Sequence, residues 1–362
     1  MTILIRSALI VDPNSPHHGK KQDILIEKGL IKSIGTVKES TAKVVIDAKG
    51  TCVSPGWLDM NVNCCDPGFE TKEDLKSGMA AAAAGGFTAI AVMPNTQPPL
   101  HSKAEVEYVK NQTRENIVDV YPIGCLSTNR EGKDIAELYD MQNSGAVAFS
   151  DGTRAIADPG LLSRALLYAK GIGARIIQYA DDAAISGKGK MNEGPMSTIL
   201  GIKGIPSLAE ELMIARDIYL AEYNDAAIHF TTVSSAGSVA LIRAAKKKGL
   251  KVTAEVSAHH LVLDETVLEG FDSHYKVKPP LRTKEDVKAL KQGLKDGTID
   301  AICSQHTPED LEHKQVEFEI AAYGMIGLQT AFSLANEAVG KDIEASGLVE
   351  KLAINPRKIL GL

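Results

Sequence analysis

Between Trp57 and Ser304 the chain alternates, eight times over, a short apolar and β-branched run with a longer stretch of helical periodicity. That alternation leaves few folds open. The candidate strands are Trp57–Asn63, Phe87–Met93, Val118–Gly124, Ala146–Ser150, Ala174–Tyr179, Ala226–Thr232, Lys251–Val256 and Ile299–Ser304. Helical stretches lie between them, at Lys72–Ala84, Lys103–Thr113, Asp134–Gln142, Leu161–Lys170, Leu208–Glu222, Ser238–Lys248 and Lys284–Lys295. Several end at a glycine, such as Gly85, Gly145 and Gly249, the residue that most readily closes a helix. Eight such units over about 250 residues are the signature of a (β/α)8 barrel. A doubly wound open sheet is the rival. It usually has fewer strands, and no GxGxxG follows the first strand here.

The residues before the barrel read differently. Asp23–Glu27, then Lys28-Gly29, then Leu30–Ile34 forms a hairpin pattern, Val44–Asp47 follows, and Pro55-Gly56 closes the segment. The chain is therefore expected to be α/β, a (β/α)8 TIM barrel over residues 56–362 with a small accessory β domain from the N-terminal strands, residues 1–55. A chain with 44% hydrophobic and 24% charged residues can bury a core of that size. The net charge of −6 argues against nucleic acid, whose binding is driven by basic side chains. The run Lys246-Lys247-Lys248 before Gly249 reads as a helix C-terminus. Five cysteines with no CxxC pair suggest neither a disulfide framework nor a zinc ribbon. The apolar start is too short for a signal peptide and no apolar run reaches about 18 residues, so a cytoplasmic chain with no membrane contact is expected.

Function in such barrels sits at the C-terminal ends of the strands. Here those ends are polar but mostly neutral: Asn61-Val62-Asn63, Met93-Pro94-Asn95-Thr96, Ser150-Asp151-Gly152, Gln178-Tyr179, Thr231-Thr232 and Ser304-Gln305-His306. A collinear series of blocks surrounds them. It includes Ser54-Pro55-Gly56-Trp57-Leu58-Asp59, Asp66-Pro67-Gly68, Met93-Pro94-Asn95-Thr96, Phe149-Ser150-Asp151-Gly152, Ala209-Glu210-Glu211, His259-His260-Leu261, Pro279-Pro280-Leu281-Arg282 and Asn355-Pro356-Arg357-Lys358-Ile359-Leu360-Gly361-Leu362. Along almost its whole length the chain resembles the dihydroorotases of the amidohydrolase superfamily.

That resemblance implies a zinc hydrolase that opens and closes the dihydroorotate ring in pyrimidine synthesis. It implies a His-x-His pair at strand 1, a carboxylate at strand 4, histidines at strands 5 and 6, and at strand 8 an aspartate that also serves as general base. The metal would lower the pKa of its bound water. Matched position by position, the pair is Asn61 and Asn63, the strand 4 carboxylate is Asp151, and the histidines are Gln178 and Thr232, with His229 nearby. The strand 8 aspartate is Gln305. Among positions that would touch substrate, Asn95 is intact, an arginine is replaced by Cys65, an asparagine by Lys278, and His306 lies beside the strand 8 end. Amides and hydroxyls are weak zinc donors, and an amide accepts no proton at neutral pH.

The expectation is therefore a vestigial pocket with no metal and no cofactor, in which Lys278 pairs with Asp151. A substitute metal site from Asp151, His229 and His306 is the alternative at that position. Three functions follow from the resemblance. The first is a non-catalytic structural or regulatory partner of aspartate carbamoyltransferase, with this chain forming a homo-oligomer. The second is an active dihydroorotase or related cyclic amidase with an atypical site. The third is a sensor that binds a pyrimidine precursor. The resemblance also leads one to expect further strands beyond Leu362 to complete the small sheet, whose edge is otherwise open for pairing.

Overall fold

The structure is a computed structural model that describes residues 2–37 and 42–362. The N-terminal strands β1 (Thr2–Ile10), β2 (Lys21–Glu27), β3 (Leu30–Gly35), β4 (Val44–Asp47) and β5 (Cys52–Val53) form one sheet of order β3-β2-β1-β4, with β5 also on β1. Glu27 faces Leu30 across the β2–β3 hairpin, whose two turn residues, Lys28 and Gly29, have φ of 52° and 80°. Two left-handed residues are what a tight turn between right-twisted strands requires.

The barrel strands are β6 (Trp57–Val62), β7 (Phe87–Val92), β8 (Asp119–Gly124), β9 (Ala148–Phe149), β10 (Ile177–Tyr179), β13 (Ile228–Thr231), β14 (Val252–Ser257) and β15 (Ala301–Cys303). A short pair, β11 (Met191–Asn192) and β12 (Gly204–Ile205), is inserted after β10. The eight strands pair in parallel as β6-β7-β8-β9 and β10-β13-β14-β15. Two parallel bridges join these arcs: Phe149 with Ile176, and Val62 with His306. The ring is thereby closed, and all eight expected strands belong to it.

Helices α1 (Leu75–Ala84), α2 (Lys103–Gln112), α3 (Leu138–Asn143), α4 (Pro159–Ile172), α5 (Ala183–Ser186), α6 (Pro195–Leu200), α7 (Leu208–Tyr223), α8 (Ala236–Lys247), α9 (Lys284–Lys295), α10 (Leu311–Lys314), α11 (Ala331–Val349) and α12 (Asn355–Leu360) complete the fold. Capping boxes at Asp74–Ser77, Ser102–Glu105 and Thr283–Asp286 set the starts of α1, α2 and α9. The lysine run does end α8, where Lys246 Nζ reaches Gly297 O at 3.0 Å and Asp300 Oδ2 at 2.6 Å. α11 lies outside the seven stretches read from sequence. It packs on the barrel through Phe332, whose ring stacks on Trp57 at 5.2 Å. No helix among the described residues is long and apolar enough to cross a membrane.

Alternation along each strand divides the apolar residues into two layers. Ile90, Val92, Ile228, Phe230, Ala254 and Val256 pack outward against the helices. Met60, Ala89, Ala91, Met93, Ile123 and Ile177 form a smaller inner cluster. The β11–β12 insertion is tied to the barrel by Arg282, 2% exposed. Its guanidinium donates to Asn192 Oδ1 at 2.9 Å, Ile205 O at 2.8 Å and Ser234 Oγ at 3.1 Å, and lies 3.8 Å from the buried Glu210. Removing one member of a buried charged network leaves the other uncompensated, at a cost of about 3 kcal/mol. Arg282→Met is therefore expected to lower the urea unfolding midpoint by that equivalent, and an unchanged midpoint would show that the network is not a support.

Candidate functional site

The pocket floor begins at the seam where the barrel closes. Asn63 N donates to His306 O at 2.9 Å, and its Nδ2 donates to the same oxygen at 3.2 Å and to Thr307 Oγ1 at 3.0 Å. Asn63 Oδ1 accepts from Asn95 Nδ2 at 2.6 Å, which adds strand β7 to the seam. A register shift in β6 between Asp59 and Val62 lets Asn61 line the pocket directly after inward-facing Met60. Asn61 Nδ2 donates to Thr231 Oγ1 at 2.8 Å, and that hydroxyl donates to the buried Glu255 at 2.5 Å. Gln305 gives its Nε2 to Lys278 O at 2.9 Å.

Above this floor lies a cavity of about 420 Å³, within the size range of small-molecule sites. Asn61, Asn63, Cys65, Asn95, Thr232, Lys278 and Gln305 all line it. So do residues that the sequence reading missed: Tyr179, Thr231, Lys72, Glu309 and, from the roof, Tyr323 and Met325. The roof is pinned from beneath. Lys276 Nζ donates to Phe318 O at 2.5 Å and Ala321 O at 2.6 Å, and Lys314 Nζ to Gly324 O at 2.9 Å.

The pocket's charges are already matched. Lys72 pairs with Glu309 at 2.7 Å and Lys278 with Asp181 at 2.7 Å. The expected Lys278–Asp151 pair is thus corrected: Asp181, at the end of β10, is the nearer carboxylate. Burial pushes the Cys65 thiol up to about 12, so this pocket residue is an uncharged thiol.

Three expected site residues lie elsewhere. Asp151 turns away from the cavity and accepts from Leu126 N and Ser127 N, each at 2.9 Å, and from the Ser127 hydroxyl. Gly152 is the residue that faces the pocket, with φ of 63°, and an added Cβ there would lie 1.8 Å from Asn95 Oδ1. Gln178 also faces outward, between the inner Ile177 and the pocket-lining Tyr179; it is Tyr179 that the β10 end presents. His306 is engaged on the far side, its Nδ1 accepting from Gly327 N at 3.1 Å and its Nε2 at 2.7 Å from Glu73. The alternative site from Asp151, His229 and His306 does not assemble. His229 is held within the barrel by Thr253, 2.9 Å from its Nδ1. His259 and His260 sit on a single 3-10 turn, Ala258–Leu261, with ring centroids 4.7 Å apart.

A closed parallel barrel with a polar cavity over its strand ends defines the architecture of a (β/α)8 barrel protein with a small-molecule pocket. L-hydantoinase (dihydropyrimidinase) from Arthrobacter aurescens superposes with a TM-score of 0.85 at 24% identity, over 99% of this chain and 82% of that one. A D-hydantoinase superposes with a TM-score of 0.83 at 26% identity, over 99% of this chain and 81% of that one. A family model described as Dihydro-orotase-like matches residues 50–238. Proteins named dihydroorotase from Geotalea daltonii and Geobacter sulfurreducens are each 44% identical over 365 aligned positions, covering 100% of this chain and 86% of theirs. The chain belongs to the dihydroorotase family.

This membership corrects the expectation that the chain has no cofactor. Dihydroorotases and hydantoinases are metal-dependent amidohydrolases that use zinc, so zinc is the group the family implies. The side chains around this cavity do not fit that ion. Zinc takes imidazole, thiolate or carboxylate. The strand ends present Asn61, Asn63, Gly152, Tyr179, Thr232 and Gln305. Among the described residues no group of three or more His, Cys, Asp or Glu is placed to hold a metal.

Beneath the floor, Asp59 accepts from Asn61 N at 2.9 Å and Ser304 N at 2.8 Å. Burial nonetheless raises its carboxyl to about 7, against the lowering effect of those bonds. The folded state then keeps a proton on Asp59 up to about pH 7, where the unfolded chain releases it near 3.8. The folded form binds more protons between these values, so this group makes stability fall as pH rises from about 4 to 7 and leaves it level above. Urea midpoints measured across this range should decline less steeply in Asp59→Asn than in the parent. An identical slope would place the carboxyl's titration elsewhere.

Proposed function

We propose that this chain is a dihydroorotase-family protein of pyrimidine biosynthesis whose pocket does not hydrolyse a cyclic amide. In this reading its barrel serves as a structural or regulatory partner of aspartate carbamoyltransferase, within an oligomer. The observation that carries the first half is the strand 8 end. Ring hydrolysis needs a group that takes a proton at the substrate. The pocket offers Gln305, a carboxamide whose Nε2 is committed to Lys278 O, while the lining carboxylate Glu309 is held by Lys72 at 2.7 Å. A packing role is supported by the outer face of α7, where Leu208, Leu212, Tyr219 and Tyr223 are 55%, 48%, 69% and 85% exposed. These positions fall on one helical stripe, an apolar surface of the kind that marks interaction sites.

A second reading, binding of a pyrimidine precursor without turnover, is favoured by the open 420 Å³ cavity. Two measurements separate these from an active enzyme. The full chain in zinc-containing buffer is expected to show no interconversion of dihydroorotate and carbamoyl aspartate above the buffer rate. Sedimentation with aspartate carbamoyltransferase is expected to give a joint species that Tyr219→Glu/Tyr223→Glu weakens at least tenfold. Turnover would remove the non-hydrolytic reading, and independent sedimentation would remove the partner.

A further inference from the structure

Beside the barrel mouth, outside the cavity already described, two arginines share one cleft. Arg130 is half-buried. Its Nε donates to Asp151 O at 2.9 Å and one terminal nitrogen to Thr153 Oγ1 at 3.4 Å. Arg154 is exposed and donates to the backbone of the first, Arg130 O, at 3.3 Å. Two like charges are therefore held side by side, and among the described residues neither guanidinium forms an ion pair. The Asp151 carboxylate also lines the cleft and attracts Arg130 without contacting it, its two oxygens accepting from Leu126 N, Ser127 N and the Ser127 hydroxyl. Lys133 is paired with Glu131 at 3.0 Å.

The space around the two arginines is concave. Cavities of about 390 Å³ and 260 Å³ lie on their two sides, and both Arg130 and Arg154 line each of them. Asn129 and Arg130 are consecutive left-handed residues with φ of 54° and 57°. Such backbone is held only where the surroundings over-determine it. The arrangement places a partly desolvated cation against a second cation in a hollow, on a chain whose net charge is −6. Bringing an anion between them removes their repulsion, and a guanidinium offers paired donors that match two oxygens of a tetrahedral oxyanion.

We propose that the Arg130–Arg154 cleft binds a phosphate group, free or as a small phosphate monoester. Two guanidiniums lining one hollow offer donors from two residues, which suits the oxygens of a tetrahedral oxyanion better than a planar carboxylate. The cleft adjoins the main cavity through one loop. Asp151 and Arg154 line the cleft, while Gly152 and Thr153 between them line the cavity. Occupancy would therefore steady the cavity wall.

The test is calorimetric titration of the full chain with inorganic phosphate, with glycerol 3-phosphate and with succinate, at constant ionic strength. Saturable binding of either phosphate, at least tenfold tighter than succinate, is expected; which phosphate binds better distinguishes the free ion from the ester. Arg154→Met, an exposed change that leaves the fold alone, is expected to weaken binding at least tenfold, and Arg154→Lys to retain part of it. Arg130→Met should abolish binding where it folds. Absence of saturable phosphate binding, succinate binding as tightly as phosphate, or unchanged binding in Arg154→Met would overturn the assignment. None of these outcomes depends on whether the main cavity is hydrolytic.

Discussion

The barrel closes at Asn63. Its backbone N–H and its carboxamide both donate to His306 O, across the seam between the first and last barrel strands, and its side-chain oxygen is taken by Asn95 from the second. A parallel ring can close only if the last strand finds hydrogen-bond partners on the first, and the residue that supplies them is also the floor of the pocket. The barrel seam and the pocket floor thus use the same atoms. The carboxamides at the strand ends have donors turned into the protein, toward Thr231, His306 O and Lys278 O, which makes the floor a set of cross-strand ties.

Electrostatics follow from that arrangement. The two lysines at the cavity are neutralised by Glu309 and Asp181, and burial holds the Cys65 thiol in its uncharged form. The carboxyl groups nearest the barrel interior, Asp59 and Glu255, sit beneath the carboxamides, Asp59 accepting from the backbone of Asn61 and Ser304 and Glu255 from the Thr231 hydroxyl. Asp151 faces the opposite side of its strand end, where it fixes the loop that carries Arg130. The Arg130–Arg154 cleft thus lies on the other side of that loop from the central cavity, whose own lysines are paired.

Much of this was legible in the residues. Eight strand–helix units announce a barrel because period-two and period-3.6 patterns cannot be exchanged for one another, and every one of those strands is in the ring. Asn61, Asn63, Cys65, Asn95, Thr232, Lys278 and Gln305 reach the cavity as their place at the strand ends suggests. Tyr179 and Gly152 line the cavity where Gln178 and Asp151 do not, in each case a step of one residue, and at a strand end one step turns a side chain to the other face. The inner position of Ile177 marks Tyr179 as its partner two residues on, so alternation alone could have found it. Nothing local could have told that Lys278 meets Asp181 or that His306 turns to Glu73, since those contacts join segments far apart in the chain. The roof residues Tyr323 and Met325 were hidden for the same reason: they follow the last strand in an irregular segment held by Lys276 and Lys314.

The pocket and the closed ring both depend on the floor carboxamides acting as structural ties. Hydrogen exchange of the side-chain NH₂ groups, followed by NMR on chain labelled with ¹⁵N at asparagine and glutamine, reads it directly. The Asn63 and Asn95 carboxamides are expected to exchange at least a hundredfold more slowly than those of exposed side chains, and Asn63→Ala to release the protection at Asn95. Exchange of the Asn63 carboxamide at the rate of an exposed one would mean that the seam is open and that these groups are free to act on whatever enters the pocket.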